Sequence, residues 1–206
     1  MSGKRVLIGC ESSGTVREAF RALGHDAWSC DLLPADDASK HHLQGRVEYA
    51  IQICSWDLII LHPPCTCLAL SGNRWYGKDK PKHNLRVEAA NWTKLLWTLA
   101  KQHSPRVALE NPVGVLPKMV DMHPTQFVQP WMFGDEASKK TGLWLHNLPK
   151  LKPTNVVGKG EFHTTKSGKR LPKWYNLPPS EDRWKVRSKT FQGIADAMAQ
   201  QWGDLT

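Results

Sequence analysis

The chain has 206 residues, 40% of them hydrophobic, and a formal net charge of +9. That is enough for one domain with a full core, and the composition is too apolar for a disordered chain. No apolar stretch approaches the ~20 residues needed to cross a bilayer, no signal peptide fits the strand-like start Met1–Ile8, and five scattered cysteines (Cys10, Cys30, Cys54, Cys65, Cys67) do not suit a disulfide framework. A cytoplasmic protein without membrane contact is expected.

Arg5–Cys10 reads as a buried strand and Glu11-Ser12-Ser13-Gly14 as a turn. Val16, Phe20 and Leu23 follow at helical spacing, and Gly24 ends that helix. Ala27–Cys30 is a second strand, ending in Asp31. Strand, glycine-containing turn, helix, strand and acid form a βαβ opening of the nucleotide-binding kind, in which Asp31 can accept ribose hydroxyl protons. A helix or turn cap is the alternative role for that carboxylate.

Val47–Ile53 suits a short helix or turn leading into the apolar strand Trp56–Leu61. Pro63-Pro64-Cys65-Thr66 follows directly. Ser71–Asn84 holds Arg74, Lys78, Lys80 and Lys82 beside Trp75-Tyr76 and reads as a long mobile loop. Val87–Leu99 is a helix with Ala89, Ala90, Leu95, Leu96 and Leu99 spaced for burial. Arg106–Leu109 is the next strand, and Glu110-Asn111 ends it. Gln126–Val128 and Leu143–Leu145 suit later strands that can pair antiparallel, and Thr190–Trp202 a closing helix.

Residues 152–185 break regular structure with Pro153, Gly158, Gly160, Gly168, Pro172, Pro178 and Pro179, and read as an insert. The expected division is a catalytic domain, 1–151 plus 186–206, with a short basic insert at 152–185. Residues 150–189 carry eleven basic against three acidic side chains, a surplus of eight in a chain of net +9. Such a concentration is the electrostatic footprint of a polyanion, most often nucleic acid. Phe162, Trp174, Tyr175 and Trp184 interleave with it and offer rings for base stacking. A solvated basic face with a small apolar anchor is the competing reading.

The chemistry-bearing feature is the pair of apolar runs ending in Cys65 and in Glu110-Asn111. Two parallel strands would deliver a thiol and a carboxyl to one edge of a sheet, where open α/β sheets bind ligands. A thiol nucleophile beside a carboxylic acid suits covalent attack on a polarised ring. Cys65 and Cys67 form C-x-C without the second spaced pair of a zinc site, so no metal is expected.

These segments together resemble the cytosine C5 DNA methyltransferases that use S-adenosylmethionine. Leu7–Phe20 is similar to the family's cofactor loop and helix, and Asp31 to its acidic ribose ligand. Pro64-Cys65-Thr66-Cys67-Leu68-Ala69-Leu70-Ser71-Gly72 resembles its Pro-Cys-Gln…Ser-x-x-Gly stretch, and Glu110-Asn111-Pro112 its Glu-Asn-Val motif. Lys139–Trp144 falls at its basic strand motif, and Phe191–Trp202 at its closing helix. The chain departs from the pattern at Cys10, Ser12, Arg46 and Thr66, and in the brevity of 152–185 where the family has a sizeable recognition domain.

The resemblance implies an α/β, Rossmann-like S-adenosylmethionine-dependent methyltransferase fold, a mostly parallel sheet with helices on both faces. It implies that Cys65 adds to C6 of cytosine, that Glu110, protonated or sharing its proton, bonds ring N3, and that Asn111 orients the site. The thiol would need a lowered pKa. S-adenosylmethionine would lie against Cys10, Glu11, Ser12, Gly14, Asp31 and Pro63. Arg74, Lys78, Lys140, Lys166, Lys169, Arg170 and Lys173 would meet nucleic acid, most readily DNA. Two alternatives stay open: the same chemistry on RNA or a free pyrimidine nucleotide, and a non-catalytic nucleic-acid-binding protein on a methyltransferase fold.

Overall fold

A computed structural model of the chain describes residues 3–165, 168–172, 180 and 183–205. Lys166, Lys173, Trp174, Tyr175, Pro178 and Pro179 lie outside them, as does the side chain of Trp184. The centre of the molecule is a seven-stranded sheet: β1 (Arg5–Gly9), β2 (Asp26–Asp31), β3 (His42–Gln44), β4 (Leu58–Leu61), β5 (Val107–Pro112), β6 (Gln126–Val128) and β7 (Thr141–His146). Their order is β3-β2-β1-β4-β5-β7-β6. All neighbouring pairs are parallel except those of β7, which runs antiparallel to both β5 and β6.

Apolar runs make the central strands because both faces of the sheet are covered. In β4, Leu58 and Ile60 join Val6, Ile8, Ala108, Phe20, Met198 and Trp202 on one side. Ile59 and Leu61 join Leu7, Leu109, Ile51, Leu96 and Leu68 on the other. The first layer is built by α1 (Thr15–Ala22) and α7 (Gln192–Trp202), the second by α2 (Val47–Gln52), α4 (His83–His103) and α5 (Leu116–Val120). The closing helix α7 buries Ile194, Ala195, Met198 and Trp202 and anchors the last of these through Trp202 Nε1 donating to the Pro149 carbonyl, 3.0 Å.

Several local expectations are corrected. Ser71–Asn84 is not a long loop: Leu70–Gly72 forms a 3-10 turn, Asn73–Tyr76 a short helix (α3), and α4 already begins at His83. The cause is Arg86, which is 3% exposed and draws this segment around its guanidinium. On α4 the buried stripe is Arg86, Ala90, Thr93, Leu96 and Ala100, which leaves Leu95 on the outer face, 58% exposed. Strand β5 runs on through Glu110, Asn111 and Pro112 because β7 pairs with it as far as Thr141. Edge strand β3, His-Leu-Gln, has no apolar run to announce it; it is held in part by Ser29 Oγ and His42 Nδ1, 2.8 Å apart. The insert contains a small hairpin, β8 (Phe162–Thr164) with β9 (Arg170–Pro172), and α6 (Arg183–Ser188) follows.

Candidate active site

Strands β1 and β4 are hydrogen-bonded neighbours, and the chain order reverses between them, so a crevice forms at their carboxyl ends. All the chemistry-bearing residues singled out from the sequence ahead of the basic segment collect along this edge.

The β1–β2 half holds the residues assigned to cofactor. Cys10 follows β1 with φ 61°, and Gly14 opens α1 with φ 69°. A Cβ on Gly14 would lie 2.2 Å from an Arg17 guanidinium nitrogen, so this position requires glycine for both backbone and space. Glu11 is 5% exposed, and its carboxylate caps α1, accepting the backbone N–H of Val16 (2.7 Å) and Arg17 (3.2 Å). Ser12 accepts the Asp36 N–H on its carbonyl, 2.9 Å, tying the loop after β2 to the first turn. Arg17 is fully buried beneath that loop, donating to Ser29 Oγ at 2.7 Å and pairing with Asp37. Asp31 accepts the Leu33 N–H at 2.9 Å on one carboxylate oxygen; the other has no partner among the described residues. A half-exposed carboxylate with an open oxygen at the end of β2, beside a glycine turn, is a donor set that fits a ribose.

Arg46, exposed ahead of α2, pairs with Glu48 at 2.9 Å. Glu48 also receives Trp92 Nε1 at 2.8 Å. Burial works against the Glu48 charge, but these two donors outweigh it and hold its pKa at about 2. Burial, with the charges of Asp31 and Glu48, raises the thiols of Cys10 and Cys30, the latter to about 12.

The β4–β5 half brings Cys65, Glu110 and Asn111 together. Leu61 and Leu109 are register partners, so the residues that follow them leave adjacent strands side by side. Asn111 is 1% exposed and donates from Nδ2 to the Pro63 carbonyl, 2.8 Å, which pins the Pro-Pro turn ahead of Cys65 to β5. Pro63 is thus a fixed point of the turn that carries Cys65.

Glu110 has partners that the sequence did not reveal. His62, the residue between β4 and the Pro-Pro turn, places Nδ1 3.2 Å from Glu110 Oε2, with side chains 8% and 14% exposed. Thr141 also bonds the carboxyl, and Lys139 adds positive charge. Burial pushes the Glu110 pKa up, but His62, Lys139 and Thr141 together bring it below the ordinary value. Glu110 is therefore a carboxylate in the free protein, not the protonated acid. Cys65 is partly buried, and burial, followed by the Glu110 charge, raises its thiol; Lys139 and Arg187 work in the opposite direction. The lowered thiol pKa expected from the sequence is not found in this state. Of the two lysines in the basic strand motif, Lys139 faces the site, its ammonium bonded to the Arg187 carbonyl at 3.1 Å. Lys140 is exposed and lies 4.3 Å over the ring of Phe127.

Arg86 fastens the segment after Cys65. Its guanidinium donates to the carbonyls of Cys67 (2.6 Å) and Ala69 (3.2 Å) and to Asn73 Oδ1 (2.7 Å). Cys67 lies against the Tyr76 hydroxyl, in contact with this anchor.

Of the residues assigned to nucleic acid, Arg74 lies over Trp75 at 5.1 Å on α3, and Lys78 is exposed just beyond it. Arg170, on β9, lies 4.7 Å from the Phe162 ring centroid, and Lys169 is exposed in the turn before it. Lys166 and Lys173 fall outside the described residues. Among the described residues no cluster of three or more His, Cys, Asp or Glu is placed to hold a metal ion, and no helix is long and apolar enough to cross a membrane.

No protein-family model and no curated protein matches the chain. Among solved structures it is similar to WbdD, in a co-crystal with the kinase inhibitor LY294002 (12% identity) and in a 2.2 Å crystal structure (13% identity), each with a TM-score of 0.45. Each match covers 79% of this chain and 40% of WbdD, so the chain spans well under half of that protein's length. Strand order, the single antiparallel strand and helices on both faces give the chain a Rossmann-like α/β fold.

Proposed function

We propose that the chain is a DNA cytosine C5 methyltransferase that uses S-adenosylmethionine, with Cys65 as nucleophile and Glu110 as the group that engages the ring. The observation that carries this reading is the delivery of Cys65 and Glu110 from adjacent strands β4 and β5 to one edge, close enough that the Glu110 charge acts on the thiol.

Asp31 would bind the ribose of the cofactor, with Gly14 and Ser12 shaping the turn below it and Cys10 and Pro63 walling the gap between β1 and β4. The bound cofactor supplies an electrophilic methyl group. Cys65 thiolate adds to C6 of the base; the displaced π electrons collect on the ring, and N3 takes up a proton through Glu110. After transfer, water takes the C5 proton, the freed pair re-forms the C5–C6 double bond, and the C6–S bond breaks with Cys65 leaving as thiolate. Positioned acid–base help of this kind contributes ~10²–10⁴-fold. Asn111 keeps the Pro-Pro turn, and hence Cys65, in place. The target base must leave a duplex stack to reach both groups.

The free-state charges suit a site that switches on with its base. Burial first and then the Glu110 carboxylate hold the thiol up; a proton on Glu110 removes the second of these, and Lys139 and Arg187 then work against burial alone. The exposed cations paired with rings, Arg74 with Trp75, Lys140 with Phe127 and Arg170 with Phe162, suit phosphate and base together. They support nucleic acid over a free nucleotide.

Incubation with methyl-labelled S-adenosylmethionine and duplex DNA, single-stranded DNA, RNA or dCMP tests the proposal. Label on C5 of cytosine in DNA is the expected result. Label on RNA or dCMP alone would move the substrate, and no transfer despite nucleic-acid binding would favour a non-catalytic binder.

A further inference from the structure

Glu110 must donate to ring N3, yet in the free protein it is ionised. The nearest group able to provide a proton is His62. Its Nδ1 is 3.2 Å from Glu110 Oε2, its side chain is 8% exposed, and its Nε2 is buried without a hydrogen-bond partner among the described residues. Its backbone N–H is held by the Gly9 carbonyl at 2.9 Å, so the ring is carried on the same rigid strand end as Cys65. The other groups acting on the His62–Glu110 pair and its thiol neighbour are Lys139 ahead of β7, Thr141 on β7 and Arg187 on α6. Lys139 spends its ammonium on the Arg187 carbonyl, Arg187 acts on the thiol through its charge, Thr141 is neutral, and Cys65 is needed as the nucleophile.

We infer that His62 is the proton reservoir of the site: a positioning residue that, as imidazolium, pairs with the Glu110 carboxylate and passes it the proton that N3 takes up. This inference rests on the proposed cytosine chemistry. The step balances. The Cys65 Sγ–C6 bond forms, the C5–C6 π pair moves through the ring to N3, and one proton travels from His62 Nδ1 to the Glu110 carboxyl and on to N3. His62 becomes neutral imidazole and Glu110 is again a carboxylate. When the adduct collapses, N3 returns the proton by the same route. The neutral carboxylic acid formed in transit is the state in which Glu110 no longer opposes the Cys65 thiolate, so proton delivery and thiol activation are one event.

The test is the single-turnover rate of covalent trapping by duplex DNA containing 5-fluorocytosine, measured against pH with the full chain and S-adenosylmethionine. His62→Asn keeps an N–H donor towards Glu110 but has no proton to give; His62→Ala removes both. Thermal melting and cofactor binding check that each variant is folded. The wild-type rate is expected to fall at alkaline pH, where the medium resupplies protons to the site less readily. Both variants are expected to trap about 10²-fold more slowly and to lack that alkaline fall. His62→Asn trapping at the wild-type rate with the wild-type pH profile overturns the inference alone. A folded wild-type chain that binds DNA and traps nothing overturns the functional reading, and this inference with it.

Discussion

Glu110 sets two opposing requirements on its surroundings. Under the proposed chemistry it shares a base with Cys65, yet its charge in the free state penalises the thiolate. Glu110→Gln should therefore divide two readouts: methyl transfer falls by at least ~10²-fold, while iodoacetamide alkylation of Cys65 begins at lower pH than in the parent. Lys139→Gln should move alkylation to higher pH, since its ammonium is the first of the groups that lower the thiol. Away from the chemistry, Gly14→Ala should cost roughly 1–3 kcal/mol in urea unfolding, because the left-handed backbone disfavours a Cβ and the Arg17 guanidinium fills its place. Much of the site was legible at this scale. Cys65 and Glu110 each end an apolar run, and apolar runs of that length make buried strands. His62 follows the same run and is equally visible, but a linear sequence does not show that its ring meets the Glu110 carboxyl across the two strands. Lys139 and Lys140 cannot be told apart by composition, since both precede β7 and only the folded chain shows which one faces the site.

The elements that hold the site rely on buried polar anchors. Arg86 on α4 serves three acceptors in the segment behind Cys65. Arg86→Ala would leave the Cys67 carbonyl without its guanidinium donor, take one of two donors from the Ala69 carbonyl, and open a cavity, and should destabilise the chain by roughly 2–4 kcal/mol in urea unfolding. On α2, Glu48 is ionised far below the ordinary carboxylate range because Arg46 and Trp92 donate to it. A depressed folded-state pKa stabilises at pH above the unfolded value of about 4.3, and that contribution fades as pH falls towards about 2. The urea midpoint of Glu48→Gln should thus lie below the parent at pH 6, and the gap should narrow at pH 3. Helices and central strands were readable from periodicity. The segment 71–84 was not, because its order comes from one arginine in the next helix rather than from its own residues. Edge strand β3 was hidden for a related reason: its pairing is backbone to backbone, and its side chains need not be apolar.

For the whole molecule the governing quantity is charge. The chain carries +9, and phosphate neutralisation dominates non-specific binding to DNA. Binding should weaken steeply with salt. The double variant Lys169→Ala/Arg170→Ala, on and beside the exposed β9, should lower affinity for all sequences and reduce the salt slope by up to about two. Fluorescence anisotropy with labelled duplex at several salt concentrations measures this, and an unchanged slope would make the hairpin a solvated face. The insert is short for a groove-reading module, so few bases should be specified. The central claim, that Cys65 and Glu110 work as one unit on C5 of cytosine, is tested most directly by trapping on duplex DNA that contains 5-fluorocytosine, with S-adenosylmethionine present, followed by peptide mapping by mass spectrometry. The account predicts a covalent adduct on the peptide holding Cys65, abolished in Cys65→Ala and suppressed in Glu110→Gln. An adduct on Cys67, or DNA binding with no adduct at any cysteine, would contradict it.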